Sequence, residues 1–110
     1  MNLEQLTRRL PERLTFTAGS EVFKEGEDAT AMFLVVEGQV RLSIKGEPAG
    51  LETEGGIIGE MALIDLAQRS ATAIAVTDCV LAPMDREQFI NMLRETPEFS
   101  LHVMSVLADR

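Results

Sequence analysis

Residues 59–72 carry side chains and backbone groups that could do chemistry together. Gly59-Glu60-Met61-Ala62-Leu63-Ile64 sets a glycine before a carboxylate and a short apolar run, and Arg69-Ser70-Ala71-Thr72 follows. The glycine lets backbone approach a ligand closely. The apolar run is long enough for one helical turn, and the first N–H groups of a helix favour an anion. Arg69, nine positions after Glu60, offers a guanidinium to the same anion. Glu60 offers a carboxylate to a sugar hydroxyl. A ribose joined to a phosphate of low charge needs those three things.

Positioning these groups requires a scaffold, and the rest of the chain reads as one. Leu3, Leu6 and Leu10 recur at helical spacing before Pro11, which predicts a short N-terminal helix. Short β-prone runs separated by turns follow at 13–17, 21–24, 31–37, 39–45, 50–53, 70–76 and 79–84. Val40, Leu42 and Ile44 alternate with Arg41, Ser43 and Lys45, as on a half-buried strand. Glu37-Gly38 and Lys45-Gly46-Glu47-Pro48 carry turn chemistry. After Asp85 the period is helical again. Asp85 with Gln88 predicts a capping box, and Phe89, Ile90 and Leu93 form a face. Pro97 interrupts, and a second helix is expected from near Glu98. Phe99, Leu101, Val103, Met104, Val106 and Leu107 make that helix apolar nearly all round, so it needs cover from its own barrel or a second subunit.

The expected fold is mainly β with flanking α-helices: an antiparallel β-roll or jelly-roll barrel (a double-stranded β-helix) as a single domain over 1–110. The 110 residues suffice for one modest core, and 45% are hydrophobic. The last helix is expected to be cut short or to continue in a parent protein.

Charge and composition narrow the function. A net charge of −8 argues against a broad interface with nucleic acid phosphates or an anionic membrane. One cysteine, Cys79, excludes an internal disulfide framework or thiolate zinc site, and its apolar neighbours predict a buried thiol. A cytoplasmic location fits, since no signal-peptide core or spanning apolar run is visible. His102, the one histidine, is expected to be a packed helix residue, so no metal centre is predicted. The acidic turn Glu25, Glu27, Asp28 lacks the alternation of a calcium loop. Met32, Met61, Met84, Met92 and Met104 are expected to fill the core. No nucleophile–base pair is visible, so no catalytic activity is expected.

Gly-Glu-x-Ala-Leu and Arg-Ser-Ala-Thr in one inter-strand segment resemble the phosphate-binding cassette of the cyclic nucleotide-binding domain family. That family includes catabolite-activator-type bacterial regulators, regulatory subunits of cyclic-AMP-dependent kinase, and cyclic nucleotide-gated channels. Further matching pieces are Phe23-Lys24-Glu25-Gly26-Glu27-Asp28, the strand from Phe33 to Gly38, and Asp85-Arg86-Glu87-Gln88-Phe89. The resemblance implies that Glu60 accepts from the ribose 2′-hydroxyl with Gly59 close by. It implies that the Met61 and Ala62 N–H groups face the cyclic phosphate, and that Arg69 and Ser70 bind it. A cyclic phosphate is a singly charged diester, whereas a triphosphate would call for a Gly-Lys-Ser/Thr loop that this chain lacks. The chain departs from the family at Asp65-Leu66-Ala67-Gln68, where many relatives have glycine and proline. The resemblance implies a sensor with no cofactor, taking cyclic AMP ahead of cyclic GMP and forming a homodimer through its C-terminal helix. The alternative is a ligand-free dimerisation domain of the same fold.

Overall fold

A computed structural model describes residues 2–65 and 68–109. The N-terminal helix α1 (Leu3–Arg8) begins on a reciprocal cap, Asn2 with Gln5, which satisfies two otherwise orphaned backbone donors. Eight strands follow: β1 (Leu14–Phe16), β2 (Glu21–Phe23), β3 (Met32–Glu37), β4 (Val40–Ile44), β5 (Glu47–Glu52), β6 (Ile57–Ile58), β7 (Thr72–Ala75) and β8 (Cys79–Met84). A short helix α2 (Glu60–Ile64) separates β6 from β7, and α3 (Arg86–Glu95) and α4 (Pro97–Ala108) close the chain.

The strands form two antiparallel sheets of four, ordered β1-β8-β3-β6 and β2-β7-β4-β5. This is the expected antiparallel roll with flanking helices, but the two sheets do not join into a closed barrel among the described residues. Two expectations on strand extent are corrected. β5 starts at Glu47, not Gly50, because the turn is only Lys45-Gly46, both at positive φ (52° and 81°). That left-handed pair suits a two-residue hairpin. Pro48 is tolerated in β5 because β5 is an edge strand. β6 was not expected at all, since two isoleucines between glycines carry no period.

The first sheet is covered on both faces, which is why Met32 to Val35 are buried without alternation. Met32 and Leu34 face a core made with α1, α3 and α4, including Leu6, Phe89, Met92, Phe99 and Val103. Phe33 and Val35 face the second sheet, against Phe23, Val40, Leu42, Ala73 and Ala75. The α3 capping box of Asp85 and Gln88 forms as expected, while the buried face centres on Phe89 and Met92, with Ile90 and Leu93 half-buried. Helix α4 starts with Pro97 at its first turn, where the missing N–H costs nothing. Phe89 and Phe99 pack edge-to-face at 5.9 Å and join α3 to α4.

The apolar character of α4 is split between two fates. Phe99 and Val103 are buried on the sheet, whereas Leu101 and Met104 are 65% and 57% exposed. Met61 is also exposed, so of the five methionines expected in the core only Met32, Met84 and Met92 lie there. Cys79 is buried, with its thiol against the carbonyls of Gln39 and Thr77. No described helix is long and apolar enough to cross a membrane.

Candidate functional site

The site grows from the end of β6. Gly59 caps α2 in the left-handed region, with φ 80° and ψ 8°, a conformation that an L side chain adopts only under strain. There is also no room for one. A Cβ at Gly59 would sit 2.5 Å from Arg69 Nη1 and 3.2 Å from Phe23 Cε2. The turn therefore delivers its carbonyl directly to the arginine: Arg69 Nη1 donates to Gly59 O at 3.1 Å, and Nη2 donates to the carbonyl of Ala31, the residue just before β3.

Arg69 is 7% exposed, unusual for an arginine, and its surroundings account for that. Its guanidinium carbon lies 4.2 Å from the Phe23 ring centroid and 5.8 Å from that of Phe33. The two rings stack on each other at 6.2 Å, so the cation rests on an aromatic shelf. Its backbone is clamped to the acidic turn: Arg69 N donates to Glu27 O and Gly26 N donates to Arg69 O, both at 2.8 Å. Burial pulls the Arg69 pKa below its ordinary value, and the charges of Glu27 and Glu60 oppose that shift only in part. The guanidinium stays protonated, with donors beyond the two carbonyl bonds that can meet an anion.

Glu60 opens α2 and is 2% exposed. Its carboxylate accepts from Met61 N at 3.1 Å, which occupies one of the helix's first N–H groups. Ala62 and Leu63 turn inward, while Met61 and Ile64 face out. The acidic turn has structural work of its own. Glu25 accepts from Lys45 N at 2.9 Å, tying the β4–β5 hairpin to the strap that holds Arg69, and Glu27 accepts from Lys24 N.

All six residues singled out from sequence, Gly59, Glu60, Met61, Ala62, Arg69 and Ser70, line one pocket of about 170 Å³. Phe23, Leu42, Ile44, Ala49 and Ala71 complete it. Sequence reasoning did not assign these five to the site. The alternation of β4 marked Leu42 and Ile44 as one face, but which cavity that face bounds depends on how the hairpin folds back. Phe23 stood in a matched segment without a role, and the structure puts it beneath the guanidinium. Leu66 and Ala67, in the loop that departs from the family, lie outside the described residues. His102 belongs elsewhere: its Nε2 meets Gly55 O at 2.7 Å.

A buried cation and a buried carboxylate thus line one pocket beside a glycine turn, together with apolar residues of β4 and β5. Such a pocket suits a small anion carrying a polar ring and an apolar one. The "Cyclic AMP receptor protein" of Thermus thermophilus is 33% identical over 104 residues, covering 90% of this chain and 48% of that protein. The crystal structure of the Thermus thermophilus catabolite activator protein superposes with a TM-score of 0.79 at 31% identity, covering all of this chain and 55% of the other. The EAL enzyme Bd1971, solved in cGMP-bound and cAMP-bound forms, matches with TM-scores of 0.72 and 0.69 at 27% and 28% identity, over 90% of this chain and 28% of that one. The chain thus spans about half the length of that Thermus relative. The profile described as "Cyclic nucleotide-binding domain" matches residues 13–96. That stretch holds all eight strands and every residue of the pocket, and the chain belongs to the cyclic nucleotide-binding domain family.

Proposed function

We propose that the chain is a non-catalytic sensor whose pocket takes a 3′,5′-cyclic nucleotide, cyclic AMP ahead of cyclic GMP. Its last helix passes the binding event to a partner domain or subunit. One observation carries this reading: a buried arginine and a buried glutamate converge on a single pocket beside a close-approach glycine. The cyclic phosphate meets the Arg69 guanidinium, the Ser70 N–H and hydroxyl, and the N–H groups of Met61 and Ala62. The ribose 2′-hydroxyl donates to Glu60. Because the Met61 N–H is engaged by the Glu60 carboxylate, ribose binding frees that N–H for the phosphate. The base lies against Leu42, Ile44 and Ala49 on the β4–β5 hairpin.

The name of the Thermus relative supports cyclic AMP, and the two forms of Bd1971 make cyclic GMP the comparison that matters. Leu101 and Met104, exposed on α4, support a homodimer through that helix. Neither nucleic acid nor membrane is contacted by this segment in the proposal, in keeping with its net charge of −8. A competing reading draws on one fact. The bonds of Arg69 to Gly59 and Ala31 would equally suit a cassette kept for its shape in a ligand-free dimerisation domain. Isothermal titration with cyclic AMP, cyclic GMP and 5′-AMP separates the two. Saturable binding of a cyclic nucleotide and none of 5′-AMP is expected, and no heat from either cyclic nucleotide rejects the sensor reading.

A further inference from the structure

His102 lies on α4, on the side facing the β5–β6 turn. Its Nε2 is 2.7 Å from Gly55 O, 47 positions away in sequence. A carbonyl can only accept, so Nε2 carries the proton and donates. The turn it holds is short and fully engaged. Gly55 N donates to Val35 O and Val35 N donates to Gly56 O, both at 2.9 Å, while Gly56 N donates to Thr53 O at 2.8 Å. The backbone of Gly55 is at φ 86°, and a Cβ at Gly56 would fall within 3 Å of Glu52 and Thr53. The turn therefore has little freedom to absorb a displacement.

From this turn to the pocket is a very short path. Ile57 and Ile58 of β6 are both buried, one in the core shared with the helices and the other in the core between the sheets. Gly59 comes next, and its carbonyl holds Arg69. Between Gly55 and Gly59 lie only Gly56 and the two buried residues of β6. Packed, hydrogen-bonded chains of this kind carry coupling between sites.

We propose that His102 is a positioning residue that latches α4 to the cassette, so that helix position and nucleotide binding are felt at opposite ends of β6. This rests on the nucleotide reading above, although its first test does not require a nucleotide. His102→Ala removes the donor. His102→Gln restores an N–H of similar reach, and His102→Phe keeps a ring without a donor. Hydrogen exchange followed by NMR on the unliganded protein should show the amides from Ile57 to Met61 exchanging several-fold faster in His102→Ala and His102→Phe, with His102→Gln close to native. Cyclic AMP titration of the same proteins should show an affinity loss of roughly three- to tenfold in the first two and recovery in the third. Unchanged exchange at Ile57–Met61 in a folded His102→Ala protein overturns the latch. So does equal loss in all three variants, which would indicate packing and not donation. If the native protein binds no cyclic nucleotide, the sensor reading fails while the exchange comparison still decides the latch.

Discussion

Replacing Arg69 with alanine tests two roles at once, the proposed contact with the ligand and the observed bonds to Gly59 and Ala31. For the ligand, one charge-assisted contact is lost, about 1.5–3 kcal/mol, which corresponds to roughly ten- to 150-fold weaker binding of cyclic AMP. For the fold, Gly59 O and Ala31 O lose this donor, and Phe23 loses the cation over its face. That second loss is about 2 kcal/mol. Arg69→Lys is the partner experiment. It keeps the charge but not the planar fork that spans two carbonyls, so it should bind between the native protein and the alanine variant. Calorimetry gives the affinities, and thermal unfolding followed by circular dichroism shows which variants are folded at the titration temperature. A folded Arg69→Ala protein with native affinity for cyclic AMP would refute the assignment of the anion to this pocket.

Glu60→Ala should abolish any preference for cyclic AMP over its 2′-deoxy analogue; equal competition by the two against the native protein would show that Glu60 does not read the ribose. Gly59→Ala should lower stability by about 1–2 kcal/mol from its left-handed backbone alone, and more from the approach to Arg69 Nη1, so urea unfolding at native midpoint would contradict the turn geometry. Met104→Glu places a charge on the exposed stripe of α4 and should weaken self-association in sedimentation with and without cyclic AMP. A strictly monomeric native chain in both conditions, with Met104→Glu indistinguishable from it, would mean that the signal leaves by another route.

Short-range order was legible in the sequence because its causes are short-range. The Asp85–Gln88 cap joins residues three apart, and the alternation of Val40, Leu42 and Ile44 needs only the strand repeat. The grouping of these residues was legible for a similar reason: Gly59, Glu60, Arg69 and Ser70 lie within twelve consecutive residues, and the structure brings them to one pocket. Where sequence reasoning failed, the deciding contact was distant. β6 exists because β3 pairs with it, and two isoleucines carry no period of their own. The apolar residues of α4 look alike in one dimension, yet packing buries Phe99 and leaves Leu101 open.

The sequence by itself determined which groups could meet an anion and a sugar, and that a β-roll with helices would carry them. Only the tertiary structure decided what surrounds those groups. Phe23, 46 positions before Arg69, becomes the shelf under its guanidinium, and Ala31 supplies a carbonyl to it. Leu42, Ile44 and Ala49 become a pocket wall when the hairpin folds back, and His102 reaches Gly55 from the far end of the chain. The physical reason is common to all four. Residue type and local spacing set what a side chain can do, but burial, aromatic contact and long-range hydrogen bonds depend on which surfaces the two sheets and their helices bring together.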